Sequence, residues 1–346
     1  RNIEFNIGAQ AFMNCVSLTN VDFKNHTVQY LGDRAFAGCS NLAAVNNLST
    51  VVNKGIRIYE GTKMSSVDDV DSYGAIYSGT TLVDASDVTS SNYTLRSGTT
   101  AIASSAFSGS KVTALTVPSS VTSIGAGAFM NSALTEVTFL GNISYIPEYA
   151  FYGSRLTSVT VPSTVTEIGA YAFANCAQLR TLNFADGRTQ ALNIGVAAFA
   201  NCSVLEAVSL PEISGSTLAG YAFANCKALT SVNLNNVTTV GIFAFEKCAN
   251  LETVNLESLE NIGAYAFAGC VSIANLNLAS AKVIGVGAFR LPEKSAKGYS
   301  SVTFPVAEEI GAEAFSGGKE SGVVIPASLK KLGEGAFAYS DNLSGI

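Results

Sequence analysis

From Leu156 to Cys176 the chain reads LTSVTVPSTVTEIGAYAFANC, and from Leu229 to Cys248 it reads LTSVNLNNVTTVGIFAFEKC. Two periods alternate inside each copy. Leu229, Val232 and Leu234 are expected to point inward. The last two stand at the two-residue spacing of a strand, and Asn233 between them faces the other way. Ile168, Ala172, Phe173 and Cys176 recur at three or four residues, a spacing that predicts one or two turns of helix or 3-10 structure on the return side. Gly169 and its equivalents are expected where the backbone turns or passes close to the neighbouring coil, a position suited to a residue without Cβ. Pro118, Pro162, Pro211, Pro305 and Pro326 each follow a strand phrase, where the missing N–H helps end the pairing.

The phrase returns along the whole chain. Thirteen Ala-Phe dipeptides end at Phe12, Phe36, Phe107, Phe129, Phe151, Phe173, Phe199, Phe223, Phe245, Phe267, Phe289, Phe315 and Phe337, and most neighbours are 22, 24 or 26 residues apart. This is the period of a stacked repeat. The expected fold is an α/β repeat solenoid, and residues 1–346 read as a single array of about fourteen repeats. The long gap after Phe36 hides one of them. Ile58 to Val67 aligns with Ala150 to Val159, which places Tyr59 in the Phe column, and Tyr93 to Phe107 aligns with Leu115 to Phe129. Between them Val67 to Asn92 is an insertion, at about 67–92, containing GAIYSGTTLVDAS. Its two alternating runs around Ser78-Gly79-Thr80 predict a β-hairpin protruding from the stack.

All 19 Phe find a place: thirteen in the Ala-Phe column, five closing strand phrases (Phe5, Phe23, Phe139, Phe184, Phe304), and Phe243 on the return turn. Nearly all of this mass reads as core. Hydrophobic residues make up 48 % of the chain and charged ones 13 %, yet no apolar run approaches the roughly 18 residues of a membrane helix. A formal net charge of -6, with no basic run beyond Lys330-Lys331, disfavours nucleic acid and anionic membranes as partners. No signal peptide is visible, and both ends read as cut from something longer, so the compartment is not legible from a leader.

Stacking places equivalent residues about 4.8 Å apart in columns. The seven cysteines, Cys15, Cys39, Cys176, Cys202, Cys226, Cys248 and Cys270, each fall three residues after the column Phe. Side chains stacked in parallel do not converge on a metal, and their separation exceeds the roughly 3.5 to 4.5 Å that a disulfide prefers between Cβ atoms. Buried, unpaired packing thiols are expected, with no metal and no cofactor. His26, the only histidine, reads as part of a polar surface connection, which leaves histidine-based catalysis without its parts. Asp68, Asp69 and Asp71, followed by Gly74, resemble the start of a calcium loop only faintly, because Tyr73 and Thr80 occupy ligand slots; a solvated acidic turn is the simpler reading. Asn-x-Ser/Thr triplets such as Asn142-Ile143-Ser144 matter only in a eukaryotic source.

Two outward columns remain as candidate binding surfaces. The strand column comprises Asp22, Asn46, Thr116, Thr138, Thr160, Asn183, Ser209, Asn233, Asn255, Asn277 and Thr303. Its short polar side chains either meet a ligand over many repeats or bond to one another up the ladder. The aromatic stripe lies two residues before the column Phe: Tyr149, Tyr171, Tyr221, Phe243 and Tyr265, interrupted by Ala197. It suits a sugar or a protein, or shields the coil edges.

The stretch from Leu156 to Cys176 resembles the BspA-like, Treponema-type leucine-rich repeat, about 23 residues long with an IGxxAFxxC segment, and the resemblance spans nearly the whole chain. An inserted GxxYS and TLV hairpin resembles that family too. The resemblance implies a right-handed leucine-rich-repeat superhelix with a parallel concave β-sheet, no catalytic site, and membership of secreted or cell-surface bacterial proteins, some implicated in adhesion. A protein ligand, a host or matrix protein among the candidates, is the partner this favours. A structural spacer and a polysaccharide-binding module are the alternatives. Departures are Ser110, Ser132 and Ser154 in place of Cys, each in a repeat one residue short, and an unusually short step from Phe5 to Ile7.

Overall fold

The computed structural model describes residues 3–47, 51–54, 58–66, 71–293 and 295–346. The chain divides into two compact units, residues 1–156 and 157–346, each a stack of β-coils.

In the second unit the strand phrases Ser158–Val161, Thr181–Phe184, Ala207–Ser209, Ser231–Asn233 and Thr253–Val254 form one parallel sheet, and Asn275–Asn277 pairs with Ser301–Thr303. Val159, Leu182, Val208, Val232 and Leu276 point into the core. A second parallel sheet runs beside it through the two-residue strands Thr217–Leu218, Thr239–Val240, Asn261–Ile262, Val283–Ile284, Glu309–Ile310 and Lys331–Leu332. Sequence reading had no place for this sheet, because two residues are too few to display a period.

The return side is not helical. The only helical segments among the described residues are the short 3-10 turns Lys63–Ser66 and Ser214–Ser216. An α-helix needs consecutive right-handed residues, and here a left-handed one recurs every four positions: Tyr171 at φ 57° and Asn175 at 60°, Tyr221 at 59° and Asn225 at 59°. The segment is therefore a chain of tight turns, with Ala172 N–H bonded to Gly169 O and Ala174 N–H to Tyr171 O. The alternate N–H groups leave the coil. Tyr171, Phe173 and Asn175 donate to Val196, Ala198 and Ala200 of the next coil at 2.8 to 2.9 Å. The turn side is thus a third inter-coil ladder, and the spacing of three to four comes from turns. The Asn or Gly preceding most of the cysteines was the legible sign of it, since these residues tolerate the left-handed region.

The glycines that follow most of the short strands serve close approach. A Cβ on Gly263 would meet Gly241 C at 2.7 Å, Ile242 N at 2.7 Å and Val240 O at 2.9 Å, all backbone. Above this floor the column rings stack almost parallel. Phe199 to Phe223, Phe223 to Phe245 and Phe245 to Phe267 are 5.2, 5.5 and 5.2 Å apart between ring centres.

The first unit is built likewise. Asn92–Thr94, Ala114–Val117 and Glu136–Phe139 form its strand-phrase sheet, with Asn20–Asp22 pairing Ala44–Asn46 in the earlier coils. Phe5 does not close a strand phrase: it lies in Glu4–Ile7, which pairs Thr27–Leu31 in the second type of sheet. That placement removes the difficulty of the short step to Ile7. Tyr59 stacks on Phe36 at 6.1 Å and 1°. Phe12 at the start of this stack is 41 % exposed rather than core, since its outer face has no coil against it among the described residues.

Ile76–Ser78 and Thr81–Asp84 form an antiparallel hairpin. It does not stand clear of the stack, because Thr81 and Leu82 pair in parallel with Ala101 and Ile102, so its second strand is a rung of the second sheet. Ala85 N–H then bonds to Ala106 O as Phe107 N–H bonds to Ala128 O, which places a methyl at the column position. Tyr93 lies edge-on to Phe107 at 5.8 Å. Its hydroxyl donates to Asp71 Oδ2 at 2.5 Å and lies 2.7 Å from Tyr77 Oη, while Asp71 Oδ1 accepts Tyr73 N–H and Ala75 N–H. Burial pushes the Tyr93 phenol far up, with Asp71 adding to it, so the hydroxyl remains a donor. Asp71 is consequently a half-buried staple of the hairpin rather than a solvated turn residue, and Asp68 and Asp69 lie outside the described residues.

The cysteines are unpaired, and all but Cys15 are buried. Their thiols are not idle: Cys202, Cys226, Cys248 and Cys270 donate to the carbonyls of Phe173, Phe199, Phe223 and Phe245 at 3.1 to 3.3 Å. Burial pushes the Cys248 thiol up to about 12 and the other three well above their usual value. Ser110 and Ser132 fill the same buried position, but their hydroxyls reach no partner. An aromatic disulfide reagent at neutral pH is expected to titrate one thiol, Cys15, in the native chain and all seven in denaturant. Rapid reaction of a second thiol in the native chain would refute the buried column.

Candidate binding surfaces

Every member of the strand column from Asp22 to Thr303 is exposed, and the register brings them side by side: Asp22 beside Asn46, Thr116 beside Thr138, Thr160 beside Asn183, Ser209 beside Asn233 and Asn277 beside Thr303. Their hydrogen bonds divide them. Asn233 Oδ1 accepts Asn235 N–H, Asn255 Oδ1 accepts Leu234 N–H, and Asn277 is held between Glu257 and Thr303. Asp22 accepts Lys24 N–H and Asn47 Nδ2, which hold its carboxyl below the usual range. These side chains finish the ladder. Thr116, Thr138, Thr160, Asn183 and Ser209 have side chains with no hydrogen bond to the described residues, and it is they that are available to a ligand.

The aromatic stripe sits on the left-handed residues of the return turns: Tyr149, Tyr171, Tyr221, Phe243 and Tyr265 all have φ between 55° and 59°. Each of the last three is fixed by its N–H donating to the next coil. Tyr171 and Tyr221 are 36 % and 37 % exposed, and Tyr149, Phe243 and Tyr265 are half-buried. Phe243 is sandwiched between Tyr221 at 4.9 Å and Tyr265 at 5.0 Å. Beyond them the ring of Tyr265 lies over Gly287, where a Cβ would come within 2.3 Å of it. The interruption at Ala197 is closed, since that residue is 3 % exposed. The stack of Tyr221, Phe243 and Tyr265 therefore offers ring edges and hydroxyls more than open faces. Beside it a cavity of 570 Å³ is walled by Phe243, Tyr265, Leu291, Pro292, Lys247 and Arg290. The cations are paired, Lys247 with Glu246 at 2.9 Å and Arg290 with Glu313 at 2.8 Å.

A second concavity, of 590 Å³, has no counterpart in the repeat pattern. It opens between the strand phrases Thr181–Phe184 and Ala207–Ser209 and is lined by Asn183, Phe184, Asp186, Arg188, Ser209 and Pro211. The period places Asn183 and Ser209 in the strand column, but nothing in it marks the loop that follows Phe184. His26 lies in a half-buried connection, where Nδ1 accepts Ile3 N–H and the ring meets Phe5 edge-on. Among the described residues no group of three or more His, Cys, Asp or Glu is placed to hold a metal.

The BspA type leucine-rich repeat region matches the chain in six copies, over residues 5–80, 86–206, 188–294 and 293–346. The chain belongs to the BspA-type leucine-rich repeat family. Among solved structures it is similar to a leucine-rich repeat protein from Bacteroides ovatus, 23 % identical over 98 % of this chain and 81 % of that one, with a TM-score of 0.54. It is also similar to a leucine rich cell surface protein from Faecalibacterium prausnitzii, at 21 % identity over 100 % and 87 %, TM-score 0.45. A third likeness is to the pneumococcal vaccine antigen PcpA, at 20 % over 73 % and 86 %, TM-score 0.36. At 23 % identity the first of these likenesses speaks to the fold alone. No curated protein matches the sequence. The family fold holds here in a form with almost no helix, and no helix among the described residues is long and apolar enough to cross a membrane.

Proposed function

We propose that this chain is a non-catalytic binding module of a secreted or cell-surface bacterial protein, and that its strand face, read as the concave one, receives a protein partner. The observation that carries this reading is the division of labour in the strand column. The inward residues are consumed by the core, Asn233, Asn255 and Asn277 complete the ladder, and Thr116, Thr138, Thr160, Asn183 and Ser209 are exposed with their hydrogen bonds unspent. Repeated short polar groups on stacked coils give many weak contacts. Adhesion to a host or matrix protein is the form of this function that the family supports.

The test is capture of host matrix and plasma proteins by the native chain and by a Thr116→Lys, Thr138→Lys, Thr160→Lys variant with an unchanged unfolding transition. Binding that falls about tenfold or more in the variant supports the strand face. Capture that survives the three lysines moves the partner elsewhere. A folded chain that captures nothing serves as a spacer.

A further inference from the structure

The parallel ladder within the five-stranded sheet of the second unit narrows to a single pair at one junction. Ser158–Val161 pairs Thr181–Phe184 at four positions and Ala207–Ser209 pairs Ser231–Asn233 at three, but Thr181–Phe184 meets Ala207–Ser209 only at Thr181 and Ala207. The two rims keep the bond directions of the regular coils, but Pro211, at the place equivalent to Ala185, has no N–H to donate back to the preceding coil. Ala185 N–H donates backward to Val161 O at 3.0 Å, and Leu210 N–H donates forward to Asn233 O at 3.1 Å. The 590 Å³ cleft occupies the space where the ladder would have continued.

The loop on its rim is pinned. Gly187, at φ 79°, turns the chain so that Arg188 reaches back into the preceding coil, where its guanidinium donates to Val165 O and, at 3.0 Å, to Pro162 O. Arg188 is half-buried, and none of its described partners is a carboxylate. It is an anchor, and it leaves Asp186 exposed on a fixed turn. Asp186, Asn183 and Ser209 all line the cleft, and their side chains have no hydrogen-bonding partner among the described residues. Half-buried Phe184 and Pro211 supply apolar wall beside them.

We infer that this cleft is a binding subsite for a single sugar ring of a glycan. A carboxylate, an amide and a hydroxyl, unspent and converging beside an apolar ring, match the hydroxyls and the C–H face of a pyranose. The size falls within the roughly 300 to 1,000 Å³ of small-ligand sites. An extended peptide is served less well, because Pro211 on one rim lacks an N–H for a strand to pair with. The aromatic stripe is served less well too, since the face of Phe243 is covered on both sides. This subsite shares Asn183 and Ser209 with the strand face of the protein-binding reading and adds Asp186, Phe184 and Pro211, so its test is read at Asp186, which that reading does not use.

The isotope-labelled chain is titrated with methyl β-galactoside, methyl α-mannoside, N-acetylglucosamine and, separately, tetraglycine, following backbone amide shifts. At least one sugar is expected to move the amides of residues 182–188 and 207–211. Asp186→Ala should weaken that sugar roughly 10- to 100-fold by removing a charged acceptor, while Asn277→Ala leaves it unchanged. The absence of shifts with all three sugars, shifts that Asp186→Ala does not alter, or a response to tetraglycine alone would overturn the proposal. Thr116, Thr138 and Thr160 are not among the residues lining the cleft, so the capture assay and this titration can fail separately.

Discussion

Phe223→Ala is expected to lower the unfolding free energy by roughly 3 to 5 kcal/mol. Phe223 is fully buried and stacked on both faces, against Phe199 at 5.2 Å and Phe245 at 5.5 Å. Truncation removes apolar area and leaves a void that the two neighbouring rings cannot fill, because each is held by its own coil. The backbone is held there independently. Phe223 N–H bonds to Ala244 O at 2.8 Å, Cys248 donates to Phe223 O, and neither bond needs the ring. The loss is therefore of packing, with the ladder intact. Phe12→Ala is the control: with 41 % of the residue exposed, its loss should cost about 1 kcal/mol or less. Urea unfolding followed by circular dichroism measures both. Equal effects would mean that the aromatic column does not hold the coils together.

Gly263→Ala carries the second large effect, although it adds a single methyl. The new Cβ would lie within 2.7 to 2.9 Å of three backbone atoms of the preceding coil. Backbone cannot step aside as a side chain can, so the two coils must separate and lengthen the bond from Gly263 N–H to Val240 O, now 2.8 Å. Overpacking of this kind costs roughly 1 to 3 kcal/mol or more. Gly109→Ala is a useful contrast. Nothing lies within 4 Å of its Cβ position, and its φ of 68° charges only backbone strain. The expected order by urea unfolding is Gly263→Ala below Gly109→Ala below the parent chain. A reversal would show that the glycine column serves conformation rather than close approach.

The two variants probe features that differed in legibility. The Phe column was fully visible, since one large residue at a constant period admits a single arrangement, and even its disguised member Tyr59 emerged by alignment and stacks on Phe36. The glycine column was visible as a pattern with two meanings, turning or close approach, and only the distances between coils chose the second. The return side was misread because turns and helices share a spacing of three to four. What separates them is the sign of φ at Tyr171 or Tyr221, and a bulky residue does not advertise a left-handed backbone. The hairpin was visible as two alternating runs, but its second strand entered the stack because Thr81 and Leu82 met an unpaired rung at Ala101 and Ile102.

For the candidate sites the division is sharper. The sequence by itself determined the repeat, the inward columns, the unpaired cysteines and the two outward columns, because periodicity fixes the direction of every side chain once the coil is known. Which outward residues are free was decided by the tertiary structure alone. Asn233, Asn255 and Asn277 look like their neighbours Asn183 and Ser209 in any one repeat, and they differ in the partners the fold brings them, Asn235 of the same coil for Asn233 and the adjoining coils for the other two. The cleft at Asn183, Asp186 and Ser209 depends on a ladder that narrows to the single pair of Thr181 and Ala207 between consecutive coils. A repeat sequence describes one coil well; a departure between two coils exists only once they are stacked.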